Sequence, residues 1–451
     1  MTETLRAISP EIILIAVASL MYLAGTFASA PCRCWFWTAV VSIALAGLAL
    51  GTCAVYANLP EEPLVQIDGL AVFGKVLALV TGLALVLLSD SMALHESAPE
   101  YFASLLLVVA GSVLVAGANE LVLLFLALEL ISIPSYLLLY LPKRDAAAQE
   151  SAAKYFFLSI FSSALFLYGL SFVYGAAGST NLHVIAQFDQ QASAGPPLTL
   201  IVATALIMAG LGFKVAAVPF HFYAPDVYQG TTNTLAALLA WVPKAAGFLT
   251  MLRLITFGMP YLNQKMAWLA CVLAAVTMTL GNVLGLLQTN LRRLLAYSGI
   301  AHAGYMLIGI GVGTAGASRY LTATGSDSVT FYLLAYAAMT LGVFAVLVYL
   351  SSPQRPVETI DDLAGLARTH PGVAMALAIF LFSLTGIPIT AGFWGKVAIF
   401  SSALTYGAPP HGDLRYLTLA VVGVVNAAIS SYYYLRIIGT MYMQESYVPV
   451  A

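Results

Sequence analysis

The stretch LTLIVATALIMAGLGFKVAAVPF, residues 198–220, places a lysine inside a long apolar run and indicates how the chain is built. The ammonium group of Lys214 has no acidic residue within ten positions on either side. A charged side chain at the centre of a bilayer costs about 2.5–3.5 kcal/mol by insertion scales, and such side chains usually face protein or water and have a function. The stretch therefore predicts a membrane-spanning segment whose lysine gains and loses a proton.

The composition of the whole chain is that of a membrane protein. Of its 451 residues, 61% are hydrophobic and only 8% are charged, whereas a soluble domain has about 25% charged residues. Apolar runs of about 20 residues recur along the chain, the length that a helix needs to cross about 30 Å of hydrocarbon. The composition predicts an all-α polytopic membrane protein and argues against a soluble helical protein. The net charge of −2 gives no indication of nucleic acid binding.

The apolar runs predict about thirteen transmembrane helices, two of which are broken. The runs lie near residues 10–27, 36–57, 69–90, 100–118, 120–141, 154–176, 197–218, 233–256, 266–288, 293–314, 328–351, 372–402 and 416–440. The seventh carries Pro219 five residues after its lysine, and the twelfth is interrupted by TGIPITAGFWGK, residues 385–396. Glycine and proline break or kink helices. Broken spans in both halves of a chain indicate inverted repeats and an ion site near the membrane midplane.

The charged loops indicate how the chain is oriented. Lys and Arg are more frequent in the loops that follow odd-numbered spans than in the loops on the other face. Because cytoplasmic loops carry an excess of Lys and Arg, this bias predicts that the odd-span loops are cytoplasmic and that the N-terminus lies outside. The first apolar run precedes Ala-Ser-Ala at residues 28–30, which resembles a signal cleavage site. We expect this run to stay as an uncleaved first span.

Four ionisable side chains are predicted to lie inside the membrane. They are Glu129 in the fifth span, Lys214 in the seventh, Lys244 near the middle of the eighth and Lys396 past the break in the twelfth. Any one of them could instead reach an interface or only connect helices. The presence of three lysines and a carboxylate in four spans favours a function. Burial moves the pKa values of amines and carboxyl groups toward neutrality, where protons are exchanged.

Glu129 and Lys214 are predicted to form a pair in which the carboxylate changes the proton affinity of the lysine. At about 4 Å and an effective dielectric constant near 20, two such charges attract each other by about 4 kcal/mol, or about three pKa units. His302, in a polar stretch of the tenth span, is predicted to relay protons between lysines because the ordinary pKa of histidine is about 6.5. A hydrogen-bonded core histidine is the alternative.

Four other polar residues near span ends have weaker or structural interpretations. Lys154 at the start of the sixth span and His221 beyond Pro219 are secondary candidates for the proton path. Lys75, early in the third span, is expected at the membrane interface. Glu120 is expected to start the helix of the fifth span.

The sequence offers no motif for a cofactor in this chain. It contains no Gly-rich phosphate loop, no nucleophile elbow and no paired His and Cys ligands. The four cysteines, which are Cys32, Cys34, Cys53 and Cys271, include one C-x-C and no set of metal ligands. They predict neither a disulfide framework nor an iron–sulfur cluster. We therefore expect no metal and no redox group in this chain.

Six segments together resemble the N-type antiporter-like membrane subunits of respiratory complex I, the NADH:quinone oxidoreductase. They are ANELVLLFLALELISIPSYLLLYL (118–141), ESAAKYFFLSIFSSALFLYGLSFVYG (150–175), GFKVAAVPFHFYAPDVYQG (212–230), QTNLRRLLAYSGIAHAGYMLIG (288–309), DDLAGLARTHP (361–371) and GIPITAGFWGKVAIF (386–400). The resemblance runs from about residue 95 to residue 441, in the same order. PDVYQG (225–230) and YYYLR (432–436) resemble the N-type rather than the related L- and M-type or Mrp-type subunits. Lys396 differs from the glutamate that M-type subunits have there.

The resemblance implies proton pumping that is driven by electron transfer in other subunits. It implies that Glu129 and Lys214 correspond to the family's glutamate–lysine pair on the fifth and seventh helices. Lys244 would correspond to the central relay lysine and Lys396 to the lysine on the exit side. His302 falls at a position that the family uses along its central polar axis. It also implies that NADH, FMN, iron–sulfur clusters and quinone bind in partner subunits of the membrane-bound complex, in a bacterial inner membrane.

The resemblance also implies a division of the chain into three parts. The first three helices would occupy residues 1–95, a first five-helix repeat residues 96–257, and a second, inverted repeat residues 258–445. The family usually has fourteen spans, so we expect the last one to be absent here, truncated, or supplied by another chain. TTNT at residues 231–234 replaces a proline-containing stretch of the family, so the entry to the eighth span is expected to differ in shape.

The sequence thus leads to one main hypothesis and two alternatives. Protons are expected to enter from the cytoplasm to Lys214, to pass through Lys244 and His302 to Lys396, and to leave on the other face. The first alternative is a cation/proton antiporter subunit of the Mrp type. The second is a structural relative that no longer pumps, against which the presence of all four membrane charges argues.

Overall fold

The computed structural model describes a protein that is almost entirely α-helical. It describes residues 2–27, 31–53, 63–89, 97–142, 145–191, 198–258, 263–313, 324–352, 356–407 and 413–445. Its α-helices are α1 (Thr2–Ala7), α2 (Ser9–Phe27), α3 (Cys32–Cys53), α4 (Gly69–Ser89), α5 (Ala98–Gly117), α6 (Leu121–Tyr140), α7 (Ala146–Ala177), α8 (Leu182–Gln191), α9 (Leu198–Lys214), α10 (Tyr223–Gly230), α11 (Asn233–Arg253), α12 (Asn263–Leu286), α13 (Leu291–Val312), α14 (Gly325–Leu350), α15 (Leu366–Thr369), α16 (Pro371–Thr385), α17 (Ala391–Gly407) and α18 (Leu414–Met443). A π-helical turn, Leu254–Gly258, extends α11, and a 3-10 turn, Asp361–Leu363, precedes α15.

The predicted all-α polytopic class is confirmed. Among the described residues, 11 helices are long and apolar enough to cross a membrane, namely α2 to α7, α11 to α14 and α18. The seventh and twelfth predicted spans are divided by breaks. α9 ends at Lys214 and α10 begins at Tyr223, whereas α16 ends at Thr385 and α17 begins at Ala391. The total of thirteen crossings stays a prediction.

Glycine and proline explain why α16 ends where the sequence predicts a break. Gly386 has a φ of +87°, and its amide donates to the carbonyl oxygens of Phe382 and Ser383 at 3.0 and 3.1 Å. This is the left-handed glycine that commonly ends a helix. Pro388 has no amide hydrogen with which to continue the helix. A Cβ at Gly392 would overlap the carbonyl oxygen of Ser383, so the two helices approach closely only because this residue is glycine.

The break after α9 is built without a glycine. Ala216 has a φ of +56°, a conformation that costs a residue with a Cβ about 1–2 kcal/mol. The amide of Val218, which leaves the helical path here, donates to Oγ1 of Thr277 at 3.0 Å. A side chain of α12 thus satisfies a backbone group that the break exposes.

The residues form two compact units, and the first contains the N-terminal helices. It consists of Met1–Lys214, Gly230–Leu238 and Val242–Asn263. Within it α5 packs against α2, α4 and α6, and α7 packs against α6 and α9. Small residues allow the close approach, since a Cβ at Gly111 would lie 2.8 Å from Ile131 and one at Gly210 would lie 2.6 Å from Phe166.

The second unit consists of Val215–Gln229, Leu239–Trp241 and Gln264–Ala451. Within it α14 packs against α13, α16 and α17, and α18 packs against α16 and α17. Gly395 of α17 lies against the ring of Tyr332 in α14, where a Cβ would come within 2.7 Å of the ring. The inverted repeats and the boundaries at residues 95 and 257 stay predictions.

Some predictions concern residues outside the described ranges. The Ala-Ser-Ala tripeptide at residues 28–30 lies there, as do the loop cations Lys143, Arg144, Arg319 and Arg355. The uncleaved first span and the orientation of the chain therefore stay predictions.

Candidate functional site

Lys214 is the last residue of α9, and its side chain is buried in the first unit. Its Nζ atom donates to Oγ of Ser132 at 2.6 Å and to Oγ of Ser159 at 3.2 Å. These serines belong to α6 and α7. A hydroxyl group both accepts and donates hydrogen bonds. The ammonium group is therefore solvated by side chains that can pass a proton on.

Glu129 lies one turn before Ser132 on α6, on the same side of the helix as the lysine site. Its Oε1 atom accepts a short hydrogen bond from Oγ of Ser163, and Ser163 lies one turn after Ser159 on α7. The carboxylate attracts the Lys214 ammonium electrostatically. Within the described ranges no ion pair of 4.0 Å or less joins Glu129 and Lys214. The structure thus brings the two predicted residues together, with serine hydroxyl groups as their direct partners.

Lys244 is the most deeply enclosed of the predicted lysines. It directly follows Pro243 in α11, and it is 1% exposed. Among the described spans, its helix, with the π-helical turn, is the one whose apolar stretch is 100% buried inside the protein. The ammonium group therefore faces protein rather than lipid. It belongs to the first unit, as Lys214 does.

His302 of α13 is the centre of a hydrogen-bonded cluster in the second unit. Its Nδ1 atom lies 2.6 Å from the hydroxyl group of Tyr332, and its Nε2 atom lies 3.1 Å from that of Tyr434. The Tyr434 hydroxyl also shares a short hydrogen bond with Ser298. Because one nitrogen of a neutral imidazole donates and the other accepts, the ring can carry a proton from one tyrosine toward the other.

Asn282 extends this polar region along α12. Its Nδ2 atom donates to the Tyr305 hydroxyl and to Oδ1 of Asn426, each at 3.1 Å, and its Oδ1 atom accepts from the Tyr433 hydroxyl at 3.0 Å. The sequence analysis missed this network. Two asparagines inside apolar spans and the run of tyrosines on α18 are the signals that could have indicated it.

Lys396 of α17 lies at the break that follows α16. Its Nζ atom donates to the carbonyl oxygens of Leu384 and Thr385 at 3.0 and 2.8 Å, and it lies 5.2 Å from the centre of the Tyr305 ring. The last carbonyl groups of a helix have no amide partners and form the negative end of its dipole. The break therefore supplies the acceptors that the buried ammonium group needs.

The two secondary candidates lie in more open surroundings. Lys154 pairs with Glu150 at 2.7 Å, one turn earlier on α7, and its side chain is 40% exposed. His221 lies between α9 and α10, and its Nδ1 atom has no hydrogen-bond partner within the described part of the chain. Among the described residues, no group of three or more His, Cys, Asp or Glu side chains could bind a metal ion.

The expectation that Lys75 lies at the membrane interface is wrong. The side chain is 2% exposed, its Nζ atom lies 2.7 Å from Oε1 of Glu11, and it donates to the carbonyl oxygen of Ala7 at 3.2 Å. A carboxylate far away in the sequence compensates the buried charge, which the local sequence does not show. The prediction for Glu120 is confirmed, since its carboxylate accepts from the amide of Leu123 at 2.8 Å at the start of α6.

Arg253 forms a second ion pair that the sequence analysis missed, between its buried guanidinium group and the partly exposed carboxylate of Asp68. Its guanidinium group donates to both carboxylate oxygens of Asp68 at 2.6 and 2.9 Å, and its Nε atom donates to the carbonyl oxygen of Ala116 at 2.9 Å. The arginine side chain is 0% exposed. It lies at the end of α11.

The chain is similar to a family of membrane proteins, to named relatives and to solved structures. Residues 118–429 match the family described as NADH:quinone oxidoreductase/Mrp antiporter, TM. The chain is 37% identical over 446 residues to the NADH-quinone oxidoreductase subunit N of Trichlorobacter lovleyi, which covers 98% of this chain and 88% of that protein. A chain of respiratory complex I from Thermus thermophilus is 31% identical, with a TM-score of 0.78 and coverage of 98% of this chain and 92% of that one. A chain of the Mrp complex from Dietzia sp. has a TM-score of 0.81 over 100% of this chain and 82% of that one. At 21% identity, it shares the fold alone.

Proposed function

Since the chain belongs to the NADH:quinone oxidoreductase/Mrp antiporter family, we propose that it moves protons across the membrane as a subunit of an NADH-quinone oxidoreductase. The predicted resemblance to N-type subunits is confirmed by relatives called NADH-quinone oxidoreductase subunit N. The observation that carries the proton path is Lys214, a buried ammonium group at the end of a broken helix with two serine hydroxyl groups as its partners.

In the first unit, Lys214 loads a proton and Glu129 tunes its affinity. The negative carboxylate favours the ammonium form of Lys214. The serines that the two residues contact on α7, Ser159 and Ser163, transmit a change at one residue to the other. Ser159 and Ser163 lie one turn apart on α7, so the partners of the lysine and of the glutamate are in one row. When the charge of Glu129 is neutralised or drawn away, Lys214 releases its proton. Lys244 receives it deeper in the protein.

In the second unit, the His302 cluster and Lys396 continue the path. His302 passes the proton between the hydroxyl groups of Tyr332 and Tyr434, which contact its two ring nitrogens. Lys396 stores it at the break after α16, where carbonyl oxygens stabilise the charged form. Release to the opposite face completes the transfer.

The partners and cofactors follow from the same family membership. We propose that other membrane-arm subunits surround this chain in a bacterial inner membrane. NADH, FMN, iron–sulfur clusters and quinone would bind in those partners, because the relatives are subunits of enzymes named for NADH and quinone. This chain's own contribution is a path for protons. The Mrp-type alternative has only a shared fold in its support.

The test uses the assembled complex in sealed vesicles, with NADH-driven quinone reduction and proton uptake measured together. Lys214→Ala should reduce pumping by at least about tenfold, since a positioned proton-transfer group contributes about 10²–10⁴-fold. Glu129→Ala should reduce it less, because this residue acts through its charge. Glu445→Gln, in an exposed ion pair with Arg368, is the control.

Lys214→Arg separates the proton path from assembly. Arginine retains the positive charge but does not release a proton at any physiological pH. We expect an assembled complex that has lost pumping. If Lys214→Ala and Lys214→Arg both pump as the wild type does, the buried charges are scaffolding and the chain is a relative that no longer pumps.

A further inference from the structure

The two helix breaks differ in how far the chain's own residues cover them. In the break after α9, Ala216 and Ala217 are each 1% exposed, although Phe222 near its end is 59% exposed. In the break after α16, Pro388 is exposed and Ile389 is 97% exposed. The second break therefore presents non-helical backbone at the surface of this chain.

This exposed break lies deep in the membrane region. The helix before it, α16, has 15 residues and the helix after it, α17, has 17 residues. At 1.5 Å per residue they are about 22 and about 26 Å long. Neither helix alone reaches across a hydrocarbon core of about 30 Å. The sequence predicts the pair as one crossing, and the break then falls near the middle of that crossing.

Lipid and water both fail as surroundings for this break. Peptide groups outside a helix find no partners in hydrocarbon, so irregular backbone at membrane depth occurs only where protein or a water-filled cavity surrounds it. Water does not fit, because the exposed side chains at the break are apolar. They are Pro388, Ile389, Ala391 and Trp394. A second protein surface fits both the backbone and the side chains.

The backbone of Ile389 also indicates support from outside the chain. Its φ is +84°, and a β-branched residue in this left-handed region is an outlier. Such a conformation persists only where the surroundings hold it. Ala216, the other non-glycine residue with a positive φ in the described part of the chain, is enclosed by the chain itself. The exposure of Ile389 leaves this role to a second chain.

We infer that the break between α16 and α17 is a docking surface for a membrane-spanning helix of another subunit. The docking surface consists of Pro388, Ile389, Ala391 and Trp394. Membrane helices approach each other closely where one of them carries small residues. The partner helix therefore has Gly, Ala or Ser opposite the large side chains of Ile389 and Trp394. That the partner belongs to an NADH-quinone oxidoreductase rests on the proposed function, whereas the presence of a protein cover does not.

Photo-crosslinking in the purified, assembled complex tests this contact. With p-benzoylphenylalanine in place of Ile389, illumination should join this chain to a membrane-spanning segment of another subunit, which mass spectrometry identifies. The control has the same photoreactive residue in place of Met375, which is 59% exposed on the regular helix α16 and should react with lipid. A reaction at position 389 with lipid alone, with a second copy of this chain or with nothing would show that the inference is wrong. Equal yields of subunit adduct at positions 375 and 389 would contradict the argument from the irregular backbone.

A pair of alanine variants covers the case in which the photoreactive residue prevents assembly. Trp394→Ala should increase the fraction of this chain that detergent releases from the complex by about fivefold or more, because buried tryptophans carry much of the stability of an interface. Met375→Ala is the matched control, since the two side chains are 57% and 59% exposed, and it should release no more chain than the wild type. Native gels measure the release. Equal release from the two variants would contradict the docking surface.

The same crosslink separates this inference from the proposed function. Lys214→Arg is expected to lose pumping while the complex stays assembled, so the adduct at position 389 should form in that variant as well. Continued pumping in Lys214→Arg would contradict the proton path and leave the docking surface standing. Wild-type pumping in a complex that gives no adduct at position 389 would contradict the docking surface and leave the proton path standing.

Discussion

The two lysines at the two helix breaks have different partners. Lys214 of the first unit donates to two serine hydroxyl groups, at 2.6 and 3.2 Å. Lys396 of the second unit donates to two backbone carbonyl oxygens at the end of α16, at 3.0 and 2.8 Å. Both side chains are 5% exposed, so burial does not distinguish them. The chemistry of their acceptors does.

This difference indicates different tasks for the two lysines. A hydroxyl group can accept a proton on one side and release its own on the other, whereas a carbonyl oxygen only accepts hydrogen bonds. Lys214 can therefore exchange its proton through its partners. Lys396 is fixed by its acceptors and must exchange its proton with a group on another side. The first site suits rapid loading, and the second suits storage of a charge.

The largest expected effect is on stability, and it differs between the two lysines. Lys396→Ala removes the donor from the buried carbonyl oxygen of Leu384 and from the partly buried one of Thr385. A buried acceptor without a donor costs about 1–3 kcal/mol. Lys214→Ala should cost less, because the Ser132 hydroxyl already donates to the carbonyl oxygen of Leu128 at 2.7 Å and remains satisfied. Scanning fluorimetry of the purified complex measures the unfolding temperatures. Equal losses in the two variants would contradict the distinction.

The next largest effect concerns the serines of the first unit. A double variant with Ser132→Ala and Ser159→Ala removes two hydrogen bonds to a charged group, each worth about 1.5–3 kcal/mol. We expect proton uptake by vesicles to slow by more than about tenfold. Ser112→Ala on α5 is the matched control, since that hydroxyl only donates to the carbonyl oxygen of Val108. Wild-type pumping in the double variant would show that the hydroxyl groups are not part of the path.

Those parts of the site that depend on local sequence were predictable. Lys214 was recognised because the apolar run around it contains no acidic residue, and the break at Gly386 because glycine and proline interrupt a span. Both features depend on neighbours in the sequence. The ends of α9 at Lys214 and of α16 at Thr385 confirm the two breaks. The roles of these residues in proton transfer stay predictions.

The parts that depend on distant residues were not predictable. Lys75 was expected at an interface because the sequence near it contains no partner, whereas the partner that it has, Glu11, lies 64 positions earlier in the chain. Arg253 and Asp68 are still further apart. The helix-end carbonyl groups that bind Lys396 are backbone atoms, which every sequence contains. Only the folded chain shows which of them have no amide partner.

A smaller effect is expected at the histidine cluster of the second unit. Tyr332→Phe removes the hydroxyl group that lies 2.6 Å from Nδ1 of His302, and one such neutral hydrogen bond contributes about 0.5–1.5 kcal/mol. If His302 relays protons, pumping should fall by about twofold to tenfold, and its pH profile should shift. If the histidine only fills the core, stability should fall and the pH profile should stay. Tyr349→Phe, an exposed tyrosine on the same helix α14, is the control.

The smallest effect on pumping, which is none, is expected for a carboxylate outside the buried sites that contributes to stability alone. Asp413 caps α18, and the Arg415 guanidinium, which donates hydrogen bonds to it, holds the pKa of the carboxyl below its usual value. The pKa of Asp413 is therefore lower in the folded chain than in the unfolded chain. The stability that its carboxylate contributes is complete above the pKa of the unfolded chain, and it is lost as the pH falls through the pKa of the folded chain. Asp413→Ala should lower the free energy of unfolding by about 0.5–2 kcal/mol at neutral pH, the usual cost of a lost helix cap. Scanning fluorimetry at several pH values should show the difference from the wild type shrinking in acid. A difference that grows in acid would mean that the fold favours the protonated form of Asp413, so that the pKa of this carboxyl is raised rather than lowered.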